Sequence, residues 1–304
     1  AYGGSIVLTS IHETAYPRFK PDLTQRELDE IYTPNETEQR FARRLGRSNA
    51  SRLYLMILLK TVQRLGYFPM VADVPPSIVS FVTKALGLKL VPLCALVEEE
   101  KSRSRRDFID AIRAHLKIHP ITKDTDKAIE LAATQAAQTK QELADIINVI
   151  IEELIRQRYE LPAFSRLNRT AFRIRNQVNE LYYHTLTDPL PAAVTSQFDA
   201  MLTLSAGQLV TGWQQIKQDP KKPTNTEVRQ YLERVKWLKS WACELPQVDH
   251  IPVVKRGQYV YEARALDAAD LKAMQQNKRY ALMVLLFHAQ LSKALDDAVD
   301  IFVR

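Results

Sequence analysis

Arg166, Arg169 and Arg173 follow one another at spacings of three and four, which on an α-helix sets three guanidinium groups along one face. Forked, planar donors in that arrangement suit base edges in a DNA groove or phosphate oxygens, and Ser165 and Arg175 stand close enough in the chain to join the set. A solvated basic helix surface has the same pattern, so the spacing leaves both readings open. Arg103, Arg105 and Arg106 form a second basic group in the first turn of an expected helix. The helix dipole disfavours cations there, so either an outside anion stabilises them or the run Glu98, Glu99, Glu100 neutralises them. His115 and His119 are four apart, as two metal ligands on one helix face would be. Against metal binding, Pro120 follows, Leu116 stands where a zinc-protease helix needs glutamate, and a third ligand is not evident. Asp296, Asp297 and Asp300 cluster like magnesium ligands but lie in a helical pattern, and they read as a solvated face. No phosphate-cradling glycine loop, Gly-x-Ser-x-Gly elbow or Cys-x-x-Cys pair occurs, so neither a catalytic constellation nor a cofactor site is expected.

The elements that must position the first arginine group are readable around it. Arg156 to Arg175, RQRYELPAFSRLNRTAFRIR, reads as helix, turn, helix: Leu161-Pro162 stops the first helix and Ser165 is the expected cap of the second. On that second helix Leu167, Ala171, Ile174, Val178 and Leu181 recur as one apolar stripe opposite the arginines. The helix before it, 141–158, is expected to turn Leu143, Ile146, Ile147, Ile150, Leu154 and Ile155 inward. Rigid apolar support below and forked donors above is what a groove-reading unit requires.

With 304 residues, 46% apolar content and only 8 glycines, the chain is expected to fold as an all-α protein of two to three consecutive helical bundles with helix-turn-helix-like units. The partition expected is 1–120, 121–217 and 226–304, broken at the proline- and lysine-rich stretch 218–225; Thr224 with Glu227 would start the third part as a capping box. Residues 1–22 are weakly periodic and read as an irregular arm or cover. Helices are expected over 23–32, 36–45 after Thr33 or Asn35, 49–65 between Ser48 or Asn49 and Gly46/Gly66 punctuation, 77–86, 126–138, 192–202, 267–275 and 277–302, with 246–261 extended. Another is expected from Thr224 on, lined by Val228, Tyr231, Leu232, Val235, Leu238 and Trp241. A net charge of +7 and pI near 9.3 favour a polyanion partner without specifying one. Two cysteines far apart, Cys94 and Cys243, form no disulfide framework and fit a reducing, cytoplasmic setting. No apolar run approaches the roughly 18 residues that span a bilayer.

Several segments, in order, resemble the amino-terminal region of the Tn-three family of replicative bacterial transposases. LTQRELDEIYTPNETE resembles that family's opening segment, and RSNASRLYLMILLKTVQRLGYF its Arg-Gly-Asp-His-Asn-Arg-Leu helix, where Arg47, Arg52 and Leu53 match and Ser48, Asn49, Ala50 and Ser51 depart. VPPSIVSFVTKALGL, SRRDF with IRAHL after it, ELPAFSRLNR, and the late segment LDAADLKAMQQNKRYALMVLLFHAQLSKALDDAVDIF are similar to further family segments. The resemblance implies helical subdomains that bind double-stranded DNA at the terminal inverted repeats of a transposon. It makes Arg166, Arg169 and Arg173 the leading readers and Arg47, Arg52, Arg105 and Arg106 the next candidates. It also implies that strand cleavage and joining, with magnesium held by carboxylates, belong to a downstream domain; a homodimer through the whole protein is left open. The alternative class is a helical dimerisation or host-protein module, for which Tyr231, Trp237 and Trp241 are the candidate contacts.

Overall fold

The computed structural model describes residues 9–89, 91–204, 207, 209–218 and 225–303, with side chains described outside 225–228 and 299–303. The protein is all-α. Among the described residues there is no strand, only an isolated bridge between His119 and Tyr159. Among these residues too, no helix is long and apolar enough to cross a membrane.

Two units emerge from the packing within the chain: residues 1–133 with 143–171, and 134–142 with 172–304. Two of the three boundaries, after Ala133 and after Ala171, fall inside helices, and the third falls just before a helix that starts at Leu143. In the first unit α1 (Gln25–Tyr32), α2 (Glu36–Leu45), α4 (Pro76–Ala85), α5 (Leu93–Lys101) and α6 (Ser104–Leu116) all pack on α3 (Asn49–Leu65). The reason lies in α3 itself: Leu53 to Leu59 are apolar without interruption, and each is at most 1% exposed. Burial of each such side chain stabilises the fold by roughly 1.5–3 kcal/mol. Ser48 caps α3 through Ser51, and Gly66, at φ 75°, ends it in the left-handed region that glycine enters without strain.

A buried polar node joins α2 to α3. Asn35 caps α2 and Glu38 returns the bond to the Asn35 amide at 2.9 Å, while the same carboxylate accepts from Gln63 at 2.8 Å and pairs with Lys60 at 3.4 Å. The amino-terminal stretch lies as a cover on this unit: Tyr16 is buried, donates to the Pro162 carbonyl at 2.9 Å and packs its ring on Tyr67 and Phe164.

The remaining helices are α7 (Lys123–Ala137), α8 (Leu143–Arg156), α9 (Phe164–Thr187), α10 (Ala192–Met201), α11 (Gly212–Lys217), α12 (Asn225–Glu244), α13 (Val253–Ala265), α14 (Ala268–Ala273) and α15 (Gln276–Val303). The second unit repeats the plan of the first. Tyr280 to Phe287 of α15 are all at most 4% exposed, and α10, α11, α12 and α13 pack on that helix. Phe198, Trp241 and Phe287 stack in its core, with Trp241 and Phe287 centroids 4.8 Å apart.

Several expectations from the sequence change. Residues 246–261 are not extended, because α13 begins at Val253: Pro252 precedes it, and Lys255, Tyr259 and Ala263 recur at every fourth position as its buried face. Helices α5 and α11 arise where none was expected. Ser165 is not the cap of α9, since the helix starts at Phe164 and the Ala163 carbonyl accepts the first bonds. Ile155, Leu181 and Leu232 do not face inward but are 57%, 61% and 37% exposed, each apolar stripe being wider than the core it meets. The histidine pair also parts company: α6 ends at Leu116, His115 stacks on Phe41, and His119 bridges to the 157–163 segment. The Thr224 capping box, most of the 218–225 stretch and the Val228 and Asp300 side chains lie outside what is described.

Candidate nucleic-acid interface

The densest basic site is the turn between α5 and α6. Helix α5 ends where the Ser102 hydroxyl donates to the Glu99 carbonyl at 2.7 Å, and α6 starts after Arg103 with no side-chain cap. The Arg105 N–H donates to the Ser102 carbonyl at 3.3 Å, and no side chain covers the positive end of the helix dipole. Around them Ser102, Arg103, Arg105, Arg106, Asp107, Ile109 and Arg113 line a cavity of about 680 Å³.

The guanidiniums there differ in how far they are committed. Arg105 lies 3.5 Å from Glu100, a buried carboxylate that also accepts from the Val71 amide at 3.0 Å. Arg113 is held by Glu160 at 2.7 Å and Asp110 at 2.9 Å, and its guanidinium lies 5.7 Å from the centre of the Phe68 ring. Arg103 and Arg106 are exposed and have no acidic partner among the described residues. Of the glutamates that could have neutralised this turn, only Glu100 does so, while Glu99 accepts from Ser48 at 3.4 Å. Two fixed and two open guanidiniums on one concave surface at a helix amino terminus can donate bidentately to phosphate oxygens. Arg113 was not a candidate from sequence, yet a signal existed: it follows Arg106 by seven residues, two turns along the same face.

The other candidates are spread more widely. Arg47 is exposed ahead of α3; Arg52 donates from Nε to the Gly46 carbonyl at 3.0 Å. That bond requires glycine, because a Cβ on Gly46 would stand 2.6 Å from the Arg52 stem. On α9, Arg166 forms an ion pair with Asp126. Arg169 is exposed and donates to the Ser165 carbonyl at 3.2 Å, and Arg173, also exposed, donates to Gln177 at 3.3 Å. Arg175 turns inward: it donates to the Gln141 carbonyl at 3.3 Å and lies over the Phe172 ring, and burial lowers its pKa. Ser165 sits exposed in the first turn of α9. The segment joining α8 to α9, 157–163, is longer than the three- or four-residue turn usual in a helix-turn-helix.

Residues 7–174 match the model of the family described as a domain of unknown function, DUF4158, and the chain belongs to that family. It is also 24% identical over 284 residues to the transposase for transposon Tn501 of Pseudomonas aeruginosa, a match covering 92% of this chain and 28% of that protein. Against the transposase for transposon Tn3926 of Escherichia coli the identity is 27% over 286 residues, covering 91% and 28%. Against the transposase for transposon gamma-delta of Escherichia coli (strain K12) it is 22% over 298 residues, covering 97% and 29%. These relatives are transposases, and the chain spans less than a third of their length.

Proposed function

We propose that this chain is a DNA-binding region of a transposase, recognising the terminal inverted repeats of a mobile element as double-stranded DNA during transposition. Similarity to transposases along nearly the whole chain supports the role, and the observation that carries DNA contact is the arginine-lined cavity at the start of α6. In this reading Arg103 and Arg106 clamp phosphates, Arg105 and Arg113 hold the local field, and Arg47 adds a further backbone contact. Arg169 and Arg173 on α9 are the leading base readers. Arg166 reaches DNA only by exchanging Asp126 for it, and Arg52 and Arg175 position the elements beside them. Strand cleavage and joining, with the magnesium-binding carboxylates of a DDE-type enzyme, are assigned to parts of the relatives outside the matched region, and no cofactor is assigned here.

The second unit supports a second reading, a protein-interaction module. Of the three candidate contacts, Tyr231 and Trp241 are buried in this unit's core, because their helix turns them onto the other helices, and only Trp237, 41% exposed, stays available. Tyr261, Val253 and Val254, 79%, 73% and 59% exposed, join it as large apolar side chains that a partner protein or second copy would cover. Footprinting the chain on an element's end and on a scrambled duplex, at several stated salt concentrations, tests the first reading. Protection confined to the end supports it. Equal binding to both duplexes, or a flat salt dependence, rejects it in favour of the second.

A further inference from the structure

At the opposite end of α6 from the arginine cavity, the first unit carries a second, chemically different hollow of about 360 Å³. Its lining is aliphatic: Val62, Leu65, Leu116, Ile118, Ile155 and Leu161, with Pro17 and Tyr159 beside them. Ile155 explains itself here, since it is 57% exposed as part of this lining and does not belong to the core. The walls are fixed by backbone bonds, Leu161 N–H to the Gly66 carbonyl at 2.8 Å, His119 N–H to the Arg158 carbonyl at 2.8 Å, and Glu160 N–H to the His119 carbonyl at 2.9 Å. A site built this way is formed before its ligand arrives.

Two exposed cations, Arg64 and Arg158, line the same hollow and have no acidic partner among the described residues. The carboxylates flanking Arg158 on either side are taken: Glu160 holds Arg113 and Glu153 holds Arg156. Glu38, which accepts from Gln63 of this same lining, is shared with Lys60. Arg158 is moreover held at φ 57°, a left-handed conformation that glycine would adopt without strain.

We propose that this hollow is a docking site for an acidic peptide, which seats one large apolar side chain on the aliphatic lining and sets flanking carboxylates on Arg64 and Arg158. Charge complementarity selects the acidic partner, because two uncompensated guanidiniums border an uncharged pocket. Shape selects a peptide over a nucleotide. A base stacks on a flat aromatic face, whereas the aromatic here, Tyr159, leans on His119 at an interplanar angle of 55° and the rest of the surface is branched aliphatic. The site is independent of the DNA contacts proposed for α6 and α9.

Methyl NMR on the full chain tests this with three capped hexapeptides: Asp-Glu-Leu-Phe-Asp-Glu, its amide analogue Asn-Gln-Leu-Phe-Asn-Gln, and the serine analogue Asp-Glu-Ser-Ser-Asp-Glu. The first is expected to shift the Ile118, Ile155 and Leu161 methyls, and each control to bind at least about tenfold more weakly. Arg158→Gly, which suits the backbone, and Arg64→Gln are each expected to weaken the first peptide about fivefold or more. Arg103→Ala with Arg106→Ala should leave it unchanged, so failure of the DNA reading would not register here. Equal binding of the amide analogue, absence of shifts at these methyls, or a thymidine oligonucleotide that shifts them at lower concentration than the peptide would each overturn the proposal.

Discussion

The arginines of α6 and those of α9 look alike in sequence and end in different surroundings. At the start of α6, Arg103, Arg105, Arg106 and Arg113 meet at one cavity, because Arg103 immediately precedes the helix, Arg105 and Arg106 stand in its first turn and Arg113 follows two turns later. On α9 the same residue type is spread over three turns, and each head group meets its own neighbours: Asp126 for Arg166, Gln177 for Arg173, the Gln141 carbonyl and Phe172 for Arg175. The difference teaches that helical spacing decides which face a cation shares, while residues remote in sequence decide what its charge is free to do. In the proposed reading the concave cluster holds phosphates, which carry no sequence, and the exposed arginines of α9 reach base edges, which do.

The largest effect would come from removing the support beneath the arginines. Leu167 is fully buried under the α9 row and Ile112 under the α6 group. Leu167→Asp or Ile112→Asp should each cost roughly 4 kcal/mol or more by placing an unpaired charge in the core. Loss of the helical circular-dichroism signal on heating, far below the parent's midpoint, is the expected result. Native-like melting of either variant would show that the row does not rest on that core.

The inward end of the α9 row sharpens the contrast through Lys255, which is 0% exposed. Its ammonium donates to the Gln141 amide oxygen at 2.5 Å and the Lys140 carbonyl at 3.1 Å, and lies over the Tyr259 ring. Burial first, then Arg175, lowers its pKa to about 8, with Glu262 opposing. The unfolded chain, near 10.4, therefore holds the proton longer than the folded one, and stability rises as pH climbs from about 8 towards 10. Tyr183 and Tyr259, whose pKa values burial raises, contribute no slope while both states keep the phenol proton, and as pH approaches and passes about 10 the unfolded phenols ionise first and stability falls. Between pH 8 and 10 the parent is expected to gain on the order of 2 kcal/mol relative to Lys255→Met in chemical denaturation, the tyrosine contributions being common to both proteins. Parallel profiles for the two proteins would show that the ammonium is better solvated than its surroundings imply.

How much of this was legible beforehand depends on range. Helix α3 could be read outright, since its apolar run, the Ser48 cap and Gly66 are all local signals. Helix α13 could not: Val253, Val254 and Gly257 are poor helix formers, and only packing of Lys255, Tyr259 and Ala263 in the second unit overrides them. The basic turn of α6 was visible as a cluster. The ion pair of Arg166 with Asp126, forty positions away, and the occupation of Arg113 by Glu160 carry no local signature at all.

Direct tests of the two arginine groups come next in size. If the α6 group clamps phosphate, Arg103→Ala with Arg106→Ala should weaken cognate and random duplexes alike and lower the log-log salt slope by about 0.9 for every phosphate no longer neutralised. If Arg169 or Arg173 reads a base, its alanine variant should cost about 1–3 kcal/mol on the cognate end and much less on random DNA. Binding isotherms on both duplexes at matched salt separate the two. The reverse result, sequence-selective weakening from α6 and uniform weakening from α9, would exchange the roles.

The smallest effect concerns Ser165, and its value lies in being small. A serine capping a helix contributes about 1 kcal/mol, and its replacement by alanine exposes an amide the hydroxyl had satisfied. Ser165 is instead inside the first turn of α9, where its carbonyl accepts from Arg169 and its side chain is exposed. Ser165→Ala should therefore change stability by less than about 0.5 kcal/mol, whereas Asn35→Ala, which removes a bonded cap of α2, should cost about 1 kcal/mol or more because Glu38 also loses its reciprocal partner. With folding unaffected, any weakening of DNA binding by Ser165→Ala reports an interaction made by the hydroxyl itself. Weakening shared by cognate and random duplexes would place that hydroxyl on a phosphate beside Arg169, and unchanged binding would leave α9 to act through its arginines alone. A stability loss as large as that of Asn35→Ala would mean that Ser165 caps α9 after all and that the helix starts at Arg166, two residues later than Phe164.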